Sequence, residues 1–483
     1  MQGLRPEILA GIPDDMYSIV RRIEDSFAIS TPDLRKLANH FERQLERGLT
    51  MDGSDIPMNL SWVMGYPTGK EKGRYLSVDF GGTNVRVCNT LLQGREEDFQ
   101  MTQEKYKLPV HLRSTSAEKL WDFVACCVGE FIEKHHDECE GQRNQTGRMP
   151  LAFTFSYPVT QTSITDGILQ KWTKALSVSG VEGNDVVSQF QAALDKRKVP
   201  VQIVALVNDT MGALISSNYR DPEVKISSVI STGCNAAYME DYRSITKIES
   251  HFGPDQEASD RLMGINTELG AYDNSRNMLP LTHFDETVDR LSAHPGTQMY
   301  EKMVAGLYLG EIYRMILIEL HGLGMISPGK DLPILERPDV IDASFLSVAE
   351  ADMSRSLDEI KDLFKEKLQM DLTPDEVKVC RYLVELVGTR AARLYACSIA
   401  AICRRMKVTT CRVGADGSVF HKYTHFKERS LHALREILDW PYFSEDFVTF
   451  HNAEDGSGVG AAIIAAMALE KQGGGTLSPK AGF

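Results

Sequence analysis

The sequence predicts an α/β protein of two lobes with a cleft between them, and three observations lead to this prediction. The chain has 483 residues, which is more than a single hydrophobic core usually serves, so two or more lobes are expected. A strand–turn–strand pattern occurs twice, at 74–92 and at 225–238, as expected for a duplicated lobe. The apolar run 200–207 is typical of the buried strands that parallel sheets contain.

The composition argues against several classes of protein. Hydrophobic residues make up 42% and charged residues 25% of the chain, which is ordinary for a globular protein. The formal net charge of −14 argues against nucleic-acid binding, because a phosphate backbone is bound by a clustered positive surface. The nine cysteines have no C-x-x-C spacing and fit neither a disulfide framework nor a zinc site, so we expect reduced thiols.

The sequence also predicts a soluble, cytoplasmic protein. The first 20 residues contain Pro6, Pro13, Asp14 and Asp15 and lack the apolar core of a secretory signal. We find no run of about 18 apolar residues, so no membrane span is expected. We expect a monomer or a homodimer.

Helices are predicted around the two repeats. The segment 32–49 has apolar residues at helical spacing after Thr31, a candidate N-cap. A last helix follows the glycine-rich turn 454–458 and continues through Ala461 to Glu470. Because the first N–H groups of a helix have no partner within the helix, this turn is suited to an anion or a nucleotide near Gly456.

The first strand–turn–strand copy contains Asp79 and the polar, glycine-rich turn Gly81, Gly82, Thr83 and Asn84. By itself this turn fits an ordinary hairpin and a phosphate-binding hairpin equally well. In the second interpretation, the glycines let backbone amides approach phosphate oxygens, and a carboxylate at the strand end holds the water shell of Mg²⁺.

The second copy has an apolar run, 226–230, followed by the turn Thr232 to Asn235. Aligned by hand, Gly81 to Asn84 matches Thr232 to Asn235, which places Ser231 opposite Phe80. Each half of the molecule is then expected to offer one phosphate-contacting hairpin to a shared cleft.

The apolar run 200–207 ends in Asn208 and Asp209. Asp209 is therefore expected at the carboxyl end of a buried strand, where α/β sheets usually hold their ligands. Two interpretations stay open, because Asp209 fits a cap for the following helix and also a general base for a hydroxyl substrate.

Four further polar residues are weak signals by themselves. Thr173 and Lys174 follow Trp172 and fit a surface segment beside a half-buried tryptophan. Glu268 and Glu301 are equally unremarkable in isolation, because an acidic side chain on or beside a helix is usually solvated.

Taken together, in this order and at this spacing, the motifs resemble those of the hexokinase family. The segment 75–87 resembles the phosphate hairpin of that family, and 151–158 with 167–174 resembles its sugar-binding signature. Details at 271–274 and 453–458 resemble fungal members. Further matching segments, in family order, are 207–210, 232–238, 265–270, 300–303, 388–394, 416–419 and 454–458.

The resemblance implies the two-lobed fold of hexokinases and actin-like ATPases, which is built from two ribonuclease H-like lobes around a cleft. A helical lead-in would span 1–74, the small lobe 75–207 and the large lobe 208–470. The final helix, 456–470, would pack back on the small lobe, and 471–483 would form a flexible tail.

The resemblance also implies that the γ-phosphoryl group of Mg-ATP is transferred to the 6-hydroxyl of a hexose such as glucose, fructose or mannose, the first step of glycolysis. Asp209 would take the proton and Lys174 would stabilise the developing charge, with most of the catalysis coming from positioning and electrostatics. The residues implied to bind the hexose are Ser156, Thr173, Lys174, Asn208, Asp209, Asn235, Glu268 and Glu301.

An ATP site that uses both hairpins is implied in the same way. Asp79 would orient Mg²⁺ through water, so that no protein group binds the metal directly. Arg86 and Thr232 would steady the phosphates, and Lys107 would approach ATP. The other residues implied for ATP are Gly81, Gly82, Thr83, Asn84, Gly306, Ser344, Asp416, Gly417, Ser418, Val419 and Gly456.

The chain departs from the family pattern on both sides of the implied site. Ser231, Cys234 and Ala343 lie on the phosphate and adenosine side, and Ala175, Leu176 and Leu269 lie near the sugar. Two alternatives to a glucose-type kinase therefore stay open. One is a sugar sensor with weak or lost catalysis, and the other is a kinase of N-acetylglucosamine.

Overall fold

The computed structural model describes residues 6–139, 147–172, 176–248, 261–441 and 444–474. The strands are β1 Asn59–Met64, β2 Lys72–Phe80, β3 Asn84–Gln93, β4 Gln100–Lys107, β5 Met149–Phe155, β6 Val159–Thr160, β7 Ile168–Leu169, β8 Val201–Val207, β9 Val224–Ile230, β10 Cys234–Asp241, β11 Leu262–Asn266, β12 Cys411–Asp416 and β13 Val448–Asn452. The helices are α1 Asp14–Phe27, α2 Thr31–Thr50, α3 Ala117–Lys134, α4 His136–Cys139, α5 Val186–Lys196, α6 Asp209–Arg220, α7 His283–Leu291, α8 Met299–Val304, α9 Gly306–Gly322, α10 Ala343–Ala351, α11 Asp358–Leu368, α12 Pro374–Arg405, α13 Ser418–Lys422, α14 Phe426–Leu438 and α15 Ala461–Gly474.

The two main sheets repeat one topology. The smaller sheet has the strand order β4-β3-β2-β5-β8, and the larger one has the order β1-β11-β10-β9-β12-β13. In the smaller sheet the first two pairings are antiparallel and the last two are parallel. Strands β11-β10-β9-β12-β13 of the larger sheet have the same order and the same polarity. The prediction of a duplicated α/β fold with two lobes is therefore confirmed.

The strand ladders correct the hand alignment of the two hairpins. The last pair of the first hairpin is Phe80 with Val85, whereas that of the second is Ile230 with Cys234. The second turn is thus one residue shorter, and the matching of Ser231 to Phe80 was wrong. Ser231 lies in the turn itself, where its backbone N–H donates to the carbonyl of Gly233 at 2.8 Å.

Hydrophobic packing divides the molecule into two cores and a joining layer. The small-lobe core contains Trp121 and Phe153, and the large-lobe core surrounds the long, buried helix α12. A third cluster joins α6 and α15 to strands of the small-lobe sheet, with Met211 and Ile463 among its members. Since α6 also packs against β9 and β10, it lies between the two sheets.

These contacts show where the first and last predicted segments of the chain lie. The lead-in 1–74 supplies α1, α2 and strand β1 to the large lobe, and it also contains the start of β2. The N-cap of α2 is Ser30, whose hydroxyl accepts from the N–H of Asp33, rather than Thr31. Helix α15 continues to Gly474, so 471–474 belong to this helix and not to the predicted tail, and 475–483 lie outside the described residues.

Helix α12 is 32 residues long and contains a strongly apolar stretch. In the part of the chain that the structure describes, it is the one helix long and apolar enough to cross a membrane. Its most apolar 18-residue window is completely buried inside the protein. The same composition is therefore explained by its place at the centre of the large lobe.

Candidate active site

The first hairpin contains a glycine at which any side chain would be strained. Gly82 has φ +103°, and a Cβ added there would lie 2.3 Å from the hydroxyl oxygen of Tyr157. The turn is held to the neighbouring strand, because the N–H of Leu108 donates to the carbonyl of Thr83 at 2.9 Å. Thr83 and Asn84 are exposed, and Asn84 pairs across the ladder with the equally exposed Lys107.

An ion pair ties this hairpin to the end of the chain. Asp79 lies opposite Arg86 in the β2–β3 ladder. The Arg86 Nη2 donates to both carboxylate oxygens of Asp455, at 2.5 and 2.8 Å. Asp455 also accepts from the N–H of Gly458 at 3.0 Å, at the start of the turn that leads into α15. Sequence reasoning did not single out Asp455 beyond its place in the 454–458 motif, because its partner is 369 residues away.

Asp209 lies at the junction of β8 and α6, as predicted. Asn208 is the N-cap of α6, and its side chain accepts from the N–H of Thr210 at 2.9 Å. One oxygen of Asp209, Oδ1, also accepts from that N–H, at 2.7 Å. No donor among the described residues bonds to its other oxygen, Oδ2. Because Asn208 serves as the cap, the half-buried Asp209 has a carboxylate oxygen available for other chemistry.

Close backbone packing fixes the position of Asp209. A Cβ at Gly212 would lie 2.3 Å from the carbonyl oxygen of Gly456, and one at Gly460 would lie 2.1 Å from the carbonyl oxygen of Gly212. A Cβ at Gly456 would in turn lie 2.6 Å from the carbonyl oxygen of Asp209. The predicted glycine turn, observed as a π-helical turn at Gly456–Gly460, therefore abuts the first turn of α6. Turns of this kind are frequent at functional sites.

Asn235 and Glu268 belong to one hydrogen-bonded group. The side-chain amide of Asn235 donates to Asn266 at 2.7 Å, and that of Asn266 donates to Glu268 at 2.8 Å. The backbone N–H of Glu268 donates back to the side-chain oxygen of Asn235 at 3.1 Å. Glu268 has the left-handed backbone conformation, with φ 53°. Sequence reasoning missed Asn266, although it lies within the 265–270 motif.

Glu301 reaches the same hairpin from α8. Its Oε2 accepts from the backbone N–H of Cys234 at 2.9 Å. A Cβ at Gly233 would lie 2.6 Å from this oxygen, so a larger residue there would displace the Glu301 carboxylate. Burial, then the carboxylates of Glu301 and Glu268, raise the pKa of the Cys234 thiol well above its ordinary value. The structure thus brings Asn235, Glu268 and Glu301 together.

Gln298 is a further polar residue that the sequence did not reveal. Its side-chain oxygen is buried and has no hydrogen-bond partner within the described ranges. This oxygen lies 3.1 Å from a Cβ added at Gly270, and Glu301 Oε2 lies 3.3 Å from the same added Cβ. A buried, unsatisfied acceptor beside a carboxylate is the arrangement expected where a hydroxyl-rich ligand supplies the missing donor.

On the small-lobe side of the site, the structure describes only some of the predicted residues. Strands β5 and β8 are parallel neighbours, with Thr154 paired to Val207. Ser156 and Asn208 therefore both lie just beyond the carboxyl ends of adjacent strands. The predicted residues Thr173 and Lys174 lie outside the described residues. The preceding Trp172 is anchored, since its indole N–H donates to the carbonyl of Val178 at 3.0 Å.

The residues implied for adenosine also meet on the large lobe. The N–H of Gly306 donates to the carbonyl of Ser231 at 2.7 Å, and a Cβ at Gly306 would lie 2.8 Å from Val419. Gly417 has φ +109°, and a Cβ there would lie 2.1 Å from the carbonyl oxygen of Ile230. The Ser231 and Ser418 hydroxyls are 3.1 Å apart. The exposed residues Thr232 and Asp416 lie next to these contacts in the chain. The exposed Ser344 follows Ala343, whose Cβ lies 3.6 Å from a Cβ added at Gly306.

The chain matches models of a known protein family over most of its length. Two family models, both described as hexokinase, match residues 19–219 and 225–467. The chain belongs to the hexokinase family.

Similar hexokinases are found among fungi. The chain is 45% identical over 466 residues to the hexokinase of Emericella nidulans, covering 96% of this chain and 93% of that protein. It is 43% identical to hexokinase-1 of Saccharomyces cerevisiae, covering 96% and 94% of the two chains. The solved structure of the Schistosoma mansoni hexokinase complexed with glucose superposes with a TM-score of 0.82 at 32% identity, covering 94% of this chain and 99% of that one. The two-lobed hexokinase fold and the fungal type of hexokinase are thereby established.

The structure shows what surrounds most of the residues that depart from the hexokinase pattern. Ser231 pairs with Ser418, and Cys234 is buried beneath Glu301. Leu269 is 2% exposed and belongs to the large-lobe core. Leu176 packs in the small-lobe core, with its side chain 3.7 Å from a Cβ added at Gly82. Ala175 lies outside the described residues.

Proposed function

We propose that this protein is an ATP-dependent hexokinase that transfers the γ-phosphoryl group of ATP to the 6-hydroxyl of a hexose. The observation that carries the proposal is the carboxylate of Asp209. Asp209 is the first residue of α6, the helix that packs against strands of both sheets, and its carbonyl oxygen lies against the Gly456 turn. Its Oδ1 is held by Thr210, which leaves Oδ2 to accept a proton.

In the proposed reaction, Asp209 removes the proton of the 6-hydroxyl as the oxygen attacks the γ-phosphorus in line. The leaving group is ADP, and the proton remains on the Asp209 carboxylate until it passes to solvent. Positioning of the two substrates supplies most of the rate enhancement, as is usual in phosphoryl transfer. We assign Lys174 to the developing negative charge.

The hexose is proposed to bind through paired hydroxyl contacts. The acceptors on the large lobe are Glu268, Glu301 and the unsatisfied oxygen of Gln298, and the donor is the amide of Asn235. Ser156, Thr173 and Asn208 complete the set from the small lobe and the lobe junction. A sugar that leaves one of these buried groups unpaired loses about 1–3 kcal/mol.

ATP is proposed to bind with its phosphates at the two hairpins and its adenosine beside Gly306, Ser344 and the 416–419 turn. Mg²⁺ would accompany ATP and shield the phosphate charge. Oxygen ligands suit this ion, and the carboxylate of Asp79, at the end of β2, is the protein group that we assign to its water shell. The finer parts of the proposal are that glucose, fructose and mannose are accepted, and that the reaction is the first step of glycolysis, in the cytoplasm.

The test is ADP release by the purified full chain with Mg-ATP and glucose, fructose, mannose or N-acetylglucosamine. We expect turnover on glucose, and we expect Asp209→Asn to lower kcat by about 10²–10⁴-fold, because the amide cannot take the proton. The control is Asp185→Asn, which changes the N-cap of α5 in the small lobe and should leave kcat within about twofold.

Each other outcome contradicts a defined part of the proposal. Wild-type turnover by Asp209→Asn excludes Asp209 as the base. Faster turnover on N-acetylglucosamine than on glucose makes the protein an amino-sugar kinase. A hexose-induced change in tryptophan fluorescence without turnover on any sugar makes it a sensor.

A further inference from the structure

Two buried thiols face each other where helix α12 ends and strand β12 begins. The sulfur atoms of Cys403 and Cys411 are 3.9 Å apart, and both residues are free cysteines. Cys403 is 1% and Cys411 5% exposed. We propose that they form a redox-active dithiol, in which Cys403 resolves an oxidised Cys411 by closing a disulfide bond.

The backbone between the two cysteines fixes this approach. The chain leaves α12 through a tight turn, in which Lys407 has φ 55° and the N–H of Val408 donates to the carbonyl of Cys403 at 3.1 Å. The N–H of Cys411 donates to the carbonyl of Phe447 at 3.1 Å, which holds the start of β12 in the sheet. A disulfide needs a sulfur–sulfur distance of about 2.05 Å. The two sulfur atoms are 3.9 Å apart, and rotation of the two side chains can bring them to this bonding distance.

The surroundings distinguish the roles of the two thiols. The hydrogen bond between the two thiols lowers the pKa of the Cys411 thiol against the opposing effect of burial, and the Lys225 ammonium lowers it further. The same hydrogen bond, together with burial, raises the pKa of Cys403. Lys225 lies over the ring of Tyr66 at 4.7 Å from its centroid. Cys411 is the more exposed of the two thiols, and a thiolate beside a cation is the reactive form of cysteine, so Cys411 reacts first.

The oxidant in this proposal is a hydroperoxide. The Cys411 thiolate attacks its terminal oxygen, the O–O bond breaks, and the alkoxide or hydroxide leaves and takes up a proton, which produces a sulfenic acid. The sulfur of Cys403 then attacks the Cys411 sulfur and loses its proton, while the S–O bond breaks and water leaves. Two thiols and one hydroperoxide thus give one disulfide, one alcohol or water molecule, and one further water molecule.

A nearby cysteine offers a matched control. Cys397 lies two turns before the end of α12, and its sulfur contacts the carbonyl oxygens of Leu34 and Arg393, each at 3.6 Å. Trypsin cleavage after Arg393, Arg404, Lys407 and Arg412 places Cys397 and Cys403 on peptide 394–404 and Cys411 on peptide 408–412. The two candidate thiols therefore separate unless a disulfide joins them.

The experiment treats the full chain with substoichiometric hydrogen peroxide, alkylates the remaining thiols and maps tryptic peptides without reduction. We expect peptides 394–404 and 408–412 to appear as one species, about 2 Da lighter than their sum, that dithiothreitol separates. In Cys397→Ser the linked species should persist. In Cys403→Ser it should disappear, and Cys411 should instead gain two oxygens, about 32 Da, that dithiothreitol does not remove.

The proposal is overturned if the wild-type protein yields no linked species while other thiols are oxidised. It is also overturned if Cys411 reaches the same oxidised form at the same rate in Cys403→Ser and in the wild type. Far-ultraviolet circular dichroism establishes that each variant is folded, and Cys403→Ala replaces Cys403→Ser if the buried hydroxyl prevents folding. None of these readouts depends on kinase activity.

Discussion

The guanidinium group of Arg86 donates to both carboxylate oxygens of Asp455, which places the phosphate hairpin of the small lobe directly on the turn that leads into the last helix. Both side chains are partly shielded, at 17% and 28% exposure. Arg86 is therefore held in one orientation by Asp455. Asp455 is a positioning residue for the hairpin, while it also holds the first turn of the helix through Gly458.

This relationship predicts the effect of Asp455→Asn. The amide still accepts from Gly458, but the charge-assisted bonds to Arg86 are lost, so we expect the free energy of unfolding to fall by about 1–2 kcal/mol. Because Arg86 is then less well oriented, the KM for ATP should rise by a larger factor than the KM for glucose. Urea denaturation and steady-state kinetics measure both. The control is Asp98→Asn, since Asp98 is 94% exposed and pairs with Arg220 at 3.1 Å; a loss of the same size there would contradict the prediction.

A second prediction concerns Glu301, whose Oε2 accepts from the N–H of Cys234. In Glu301→Gln the side chain keeps its size and loses its charge. We expect the KM for glucose to rise about tenfold or more, because the charged acceptor of a sugar hydroxyl is lost, while the KM for ATP stays within about twofold. The exposed Glu336 supplies the control, Glu336→Gln. Equal rises in both KM values would show that the change acts through the fold.

The third prediction is a pH dependence of stability due to Lys247. Its ammonium donates to the carbonyls of Pro57 and Met58 at 2.9 and 2.7 Å, and burial lowers its pKa from 10.5 to about 8. Between about pH 8 and 10.5 the unfolded chain therefore binds more protons at this residue than the folded one. The free energy of unfolding rises with pH when the unfolded chain binds more protons, here by up to about 1.4 kcal/mol per pH unit.

The measurement for Lys247 compares the wild type with Lys247→Met by urea denaturation at several pH values. The difference in the free energy of unfolding, wild type minus variant, should grow as pH rises through that window and should be smallest below it. The exposed Lys330 supplies the control, Lys330→Met. A difference that is flat or falls with pH would exclude a depressed pKa for Lys247.

The fourth prediction uses two helical glycines with opposite surroundings. A Cβ at Gly212 would lie 2.3 Å from the carbonyl oxygen of Gly456, whereas one at Gly322 would meet nothing within 4 Å. We expect Gly212→Ala to displace the start of α6 and with it Asp209, which lowers kcat by about 10–100-fold. We expect Gly322→Ala, at the end of α9, to leave kcat unchanged and to stabilise slightly. Wild-type kcat in Gly212→Ala would mean that Asp209 does not depend on this contact.

The sequence predicted the local features of the site well. Asp79, Gly82 and Asp209 lie at strand ends and turns because periodic apolar runs define the strands, and the residues that interrupt those runs must lie at their ends. The hand alignment failed at Ser231, because a turn shorter by one residue shifts the pairing without changing the pattern of apolar residues. For Asp209 the sequence left two roles open, a helix cap and a general base, and the structure gives the cap to Asn208 instead.

The amino-acid sequence by itself determined that this protein has two α/β lobes, that it resembles hexokinases, and which motifs carry polar residues, since each of these depends on local periodicity and residue type. Only the tertiary structure decided that Arg86 pairs with Asp455, that Asn266 links Asn235 to Glu268, and that Gly212 touches Gly456. These partners lie on different elements, separated by as many as 369 residues. Such contacts are set by how whole helices and sheets pack against each other, which no local pattern records.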